Sequence, residues 1–124
     1  MKRFAILLTL GFLSSCGLFD ENSRKFQLDE IEELKNEILA LSESVPCTNS
    51  IEWRLIPMGS KACGGPTSYI AYHQSVEEDF LDLVAQYTQL QAEYNQKNNV
   101  VSDCALIVAP RNVICEGGKP FLVN

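Results

Sequence analysis

The sequence predicts an α+β domain: two amphipathic helices packed on a small antiparallel sheet, fastened by two disulfides. Three observations predict it. Apolar residues recur at helical spacing over 28–45 and again over 76–94. Short β-prone runs stand between and after these stretches, and four cysteines lie within the same region.

The chain has 124 residues, 46% of them hydrophobic and 21% charged, enough for one ordinary domain and unlike a disordered or collagen-like composition. Met1-Lys2-Arg3 is a positive head, and Phe4–Leu13 is an apolar run. That run suits a secretory h-region and is shorter than the roughly 20 residues needed to cross a bilayer as a helix. Leu13-Ser14-Ser15-Cys16 resembles the lipobox of bacterial lipoprotein precursors, in which an apolar residue and two small ones lead into the cysteine. The resemblance implies a signal peptide over 1–15, cleavage before Cys16, and lipid on the Cys16 sulfur. Several acyl chains make a durable membrane anchor where one is marginal. Gly17 stands where an Asp commonly retains such proteins in the inner membrane, which favours an outer membrane in a host that has one. The expected address is therefore a bacterial cell envelope. Without residues 1–15, eight Lys and Arg face sixteen Asp and Glu, a formal −8. Such a balance excludes nucleic acid and polybasic membrane binding and fits a cationic protein partner.

Residues 16–26 read as the lipidated cysteine and a polar, flexible tether, and 27–124 as a single compact domain. In the first helix Leu28, Ile31, Leu34, Ile38, Leu41 and Val45 share a face; Asp29, Glu30, Glu32 and Glu33 occupy its first turns, and Pro46 stops it. Ile51–Ile56 and Thr67–Tyr72 read as strands around a glycine-rich loop. Ser75 and Glu78 make a capping box for the second helix, whose stripe is Val76, Phe80, Leu83, Val84, Tyr87, Leu90 and Tyr94. Asn95, Asn98 and Asn99 offer its exit. Residues 104–108 and 112–115 are β-prone, and 121–123 suit a last edge strand.

With Cys16 assigned to lipid, Cys47, Cys63, Cys104 and Cys115 are left, an even set in an exported domain, which reads as two disulfides. A hairpin with a two-residue loop at 109–110 would set Cys104 opposite Cys115, favouring Cys104–Cys115 and Cys47–Cys63 at about 3 kcal/mol each. No C-x-x-C occurs and His73 is the one histidine, so no metal or cofactor is expected.

Gly59-Ser60-Lys61-Ala62-Cys63-Gly64-Gly65-Pro66 is the most unusual stretch. Gly59, Ser60, Lys61, Gly64 and Gly65 form the candidate binding loop: either a cystine-pinned turn between strands, or a backbone nest for a small anion, or a rigid loop offering Lys61 to an exogenous hydrolase. The P-loop order G-x-x-x-x-G-K-[ST] is absent. With Tyr69, Tyr72, Tyr94-Asn95 and Ser102-Asp103-Cys104, this segment resembles a group of small bacterial exported proteins and lipoproteins built around G-S-K-x-C-G-G-P and a later S-D-C. The resemblance spans about residues 47–116 and implies a disulfide scaffold, with no catalytic residue to carry over. No G-x-S-x-G elbow accompanies His73, and the acid pairs Glu77/Glu78 and Asp79/Asp82 lie on an exposed helix side. The expected protein is thus a non-enzymatic, membrane-anchored lipoprotein that works by protein–protein contact; inhibition of a hydrolase and anion binding are the alternatives.

Overall fold

The computed structural model describes residues 18–124, with side chains from Asp20 onward; the expected signal peptide and Cys16 lie outside the described residues. The elements are α1 (Leu18–Ser42), β1 (Trp53–Met58), β2 (Ser68–His73), α2 (Glu77–Lys97), β3 (Asn112–Glu116) and β4 (Lys119–Val123). Two helices and two small antiparallel sheets, with two disulfides, make the α+β class the sequence predicts. The sheet is split into two hairpins, β1–β2 and β3–β4.

The β1–β2 hairpin is the middle layer, and the two-residue period of a strand explains how it serves both sides. Its register pairs Ile56 with Ile70 and Leu55 with Ala71. Ile56, Met58, Ile70 and Tyr72 join the helix-side core with Ile31 and Ile38 of α1 and Phe80, Val84 and Tyr87 of α2. Trp53, Leu55 and Ala71 join the second core with Cys47 and with Val113, Cys115 and Leu122 of the other hairpin. Ser42, at the end of α1, is buried and donates its hydroxyl to the Ala71 carbonyl of β2 at 2.6 Å. This satisfies a polar group that would otherwise be costly to bury.

Several elements differ from their sequence reading. The expected tether is helical from Leu18, because Arg24 bonds the Asn98 side chain at 3.0 Å and Lys97 bonds Ser23 at 3.3 Å, holding the first turns of α1 against the end of α2. Asp29, Glu30, Glu32 and Glu33 therefore lie mid-helix, and Asp20 and Glu21 occupy the first turn. Leu28 is exposed: counted back from Ile31 the inward stripe runs through position 27, and Gln27 takes the place assigned to Leu28. No capping box forms. A 3-10 turn, Gln74–Val76, leads into α2, and the Ser75 hydroxyl and N–H both turn back to His73 Nδ1, at 2.7 and 3.1 Å.

The largest correction concerns residues 104–116. Residues 104–108 form no strand, and β3 pairs with β4 across Gly117 and Gly118, both at positive φ. This glycine pair is the stronger turn signal, since a two-residue hairpin needs left-handed backbone at both central positions. Cys115 consequently faces Pro120 rather than Cys104. The disulfides are Cys47–Cys115 and Cys63–Cys104, not Cys104–Cys115 and Cys47–Cys63. They close separations of 68 and 41 residues, so the chain-entropy model gives about 4 kcal/mol for each.

Candidate functional site

The β1–β2 loop, the last turns of α2 and the irregular segment 98–111 converge at one end of the domain, around an open cleft of about 420 Å³ beside Lys61, Gly64, Asn95 and Asn99. The two segments of the G-S-K-x-C-G-G-P and S-D-C pattern meet there. Cys63 is bonded to Cys104, the Cys63 N–H donates to the Ser102 hydroxyl at 3.2 Å, and Lys61 Nζ reaches Asp103 at 2.6 Å and the Ala105 carbonyl at 2.8 Å. Asn95, also part of the pattern, donates its amide to the Ser60 carbonyl at 2.7 Å. Each of these residues is visible in the sequence by itself; that they form a single clamp holding 102–105 against the loop is visible only in the fold.

The clamp engages most of the donors that the alternatives need. An anion nest requires free, convergent backbone N–H groups. Here the Gly59 N–H goes to Thr88, Ser60 to Gln91, Lys61 to the Gly65 carbonyl, Cys63 to Ser102 and Gly64 to the Lys61 carbonyl. Lys61 does not protrude toward a protease pocket, for its side chain is 14% exposed and is held by Asp103. The cystine-pinned turn between strands is the arrangement present.

Gly59 is the strictest position of the loop. It sits at φ +82°, and a Cβ there would collide with the Thr67 side chain and approach Gln91 Oε1 to 2.6 Å. Gly64 sits at φ +97° in open space. Gly64→Ala is therefore expected to cost about 1 kcal/mol of left-handed strain. Gly59→Ala should cost about 2 kcal/mol more from overpacking, read as a lower urea midpoint.

The hydrogen bond and charge of Lys61 hold the Asp103 carboxyl below its ordinary value of 3.8. The folded state thus favours the carboxylate. Its contribution is complete above that ordinary value and is lost as pH falls through it toward the lowered one. A carboxyl-carbon NMR titration should place Asp103 below the ordinary midpoint, and Lys61→Met should raise it back toward that midpoint. Asp103 remains largely in water, so the pair positions the segment more than it stabilises the fold.

His73 packs edge-on against Trp53, with ring centroids 5.6 Å apart. Its Nδ1 accepts from Ser75, leaving Nε2 toward Glu52 at 3.4 Å. It is a packed histidine closing the end of β2, and it links the exposed Ser75 hydroxyl on one side of the ring to the Glu52 carboxylate on the other. Among the described residues no group of three His, Cys, Asp or Glu side chains is placed to hold a metal, and no helix is long and apolar enough to cross a membrane. No family model, curated protein or solved structure matches the chain.

Proposed function

We propose that this protein is a non-enzymatic lipoprotein of a bacterial cell envelope, anchored by lipid on Cys16 and acting through contact with a cationic protein partner. The lipobox-like Leu13–Cys16 supports the anchor, Gly17 favours an outer membrane where the host has one, and two disulfides fit an oxidising compartment. The observation that carries the partner is on α1. Asp29, Glu32, Glu33 and Glu37 line a shallow depression together with Asn36 and Ala40. None of these carboxylates is within ion-pair distance of a cation among the described residues. An uncompensated acidic face attracts a basic one, raises its encounter rate, and loses that advantage in salt.

A photo-crosslinking residue at position 36, carried by the acylated protein in its native envelope, tests this. One dominant adduct with a basic protein is expected, weakened several-fold by Glu32→Gln with Glu33→Gln and Glu37→Gln, and by added salt. No adduct, or one indifferent to these three substitutions, contradicts the reading.

A further inference from the structure

Anchoring at Cys16 fixes which end of the domain faces the lipid. Cys16 precedes Leu18 by two residues, a span of chain that reaches at most about 7 Å. From Leu18 to Ser23 the helix rises only about 7.5 Å. At that level Ser23 and Arg24 bond Lys97 and Asn98, the last residues of α2. The chain leaving α2 stays at this end: the Val100 N–H returns to the Asn95 carbonyl, and Asp103 and Ala105 are tied to Lys61. Flanking this clamped segment, Val101 is 91%, Leu106 92% and Val108 76% exposed.

Charge is arranged to match. At the opposite end of α2 stand Glu77, Glu78 and Asp79. At the anchor end Asp103 is paired with Lys61 and Asp20 with Arg24, while Lys25 and Lys97 offset Glu21 and Glu93. An anionic bilayer therefore repels the far end and accepts the near one.

We propose that Val101, Leu106 and Val108 rest in the interfacial layer of the anchoring bilayer as a second, non-covalent contact with lipid. The clamp would then serve to present these residues at a fixed height and to hold the acidic face of α1 upright, away from the membrane. This rests on acylation of Cys16. Val101 and Leu106 are the two most exposed large apolar side chains among the described residues, and the bilayer is the surface that the two-residue span from Cys16 brings within reach.

The test places an indole at the contact. Acylated Leu106→Trp protein and its parent are reconstituted in phosphatidylethanolamine–phosphatidylglycerol vesicles, with and without bromine on the acyl chains. Emission of the Leu106→Trp protein should fall at least twofold in brominated vesicles, whereas the parent, whose Trp53 is buried in the second core, should not respond. Equal emission in both vesicles overturns the proposal. So does an introduced indole that bromine spares while a protein in the native envelope shields it from acrylamide. Labelled palmitate reads the anchor separately: a labelled protein with an unquenched indole defeats this inference alone, and an unlabelled one defeats the anchor and the inference together.

Discussion

Phe80→Ala is expected to lower the free energy of unfolding by about 3–5 kcal/mol, the usual loss for a fully buried aromatic. Phe80 has no solvent-exposed surface and stacks on Tyr72 with ring centroids 4.8 Å apart and planes 18° from parallel. Its cluster draws side chains from α1, β1, β2 and α2, so removal of the ring loosens the helix pair and the middle layer at once. For a domain whose total stability is on the order of 5–15 kcal/mol, this is a large fraction. Guanidinium unfolding should show a much lower midpoint with an unchanged slope. Phe26→Ala, at a ring that is 69% exposed, should change the midpoint little. A loss below about 1 kcal/mol at Phe80 would mean that the helices do not share this core with the β1–β2 hairpin.

Replacing Cys47 and Cys115 together by serine is expected to cost about 4 kcal/mol, because the cross-link closes 68 residues of the unfolded chain. It also pins the third layer: the Cys47 N–H bonds the Gly118 carbonyl at 2.9 Å, and Cys115 packs beside Trp53, Ala71 and Val113. The β3–β4 hairpin by itself is a two-stranded ribbon, too small to be stable in water. Emission from Trp53 offers an independent readout, moving to longer wavelength as that layer loosens. If the double substitution left both the midpoint and the Trp53 emission unchanged, the third layer would not be held by this bridge.

The helices and the first hairpin were legible because burial leaves a period. Ile31, Ile38, Phe80, Val84 and Tyr87 were assigned to inward faces and are buried there, and the strands at 53–58 and 68–73 fall within two residues of their expected bounds. The start of α1 was not legible. Asp20–Lys25 is polar and is held in the helix through contacts with Lys97 and Asn98, far away in sequence, and local pattern carries no record of such partners. The cystine pairing failed for a related reason. Cys104-Ala105-Leu106-Ile107-Val108 has the composition of a strand, yet Lys61 and Cys63 hold its beginning outside any sheet. Composition reports which residues favour extended backbone, not whether a neighbouring strand is there to receive their hydrogen bonds. Gly117-Gly118 was the overlooked cue, a two-glycine turn between β-prone flanks that sets the register placing Cys115 away from Cys104.

Of the candidate site, the loop was visible and its purpose was not. Three glycines, a lysine and a cysteine within Gly59–Gly65 read equally well as a ligand cradle or as a brace. Only the destinations of its donors distinguish the two: the N–H groups of Gly59, Ser60, Lys61, Cys63 and Gly64 and the Lys61 ammonium go to partners within the protein. The functional emphasis accordingly moves from the loop to what it holds in place, the acidic face of α1 and the apolar segment beyond α2.

Top-down mass spectrometry of the unreduced protein purified from its own host bears most directly on the whole proposal. The predicted species begins at Cys16, carries diacylglycerol on that sulfur, and contains the bridges Cys47–Cys115 and Cys63–Cys104. A chain that retains Met1, lacks acyl mass and has free thiols at these four positions would contradict it.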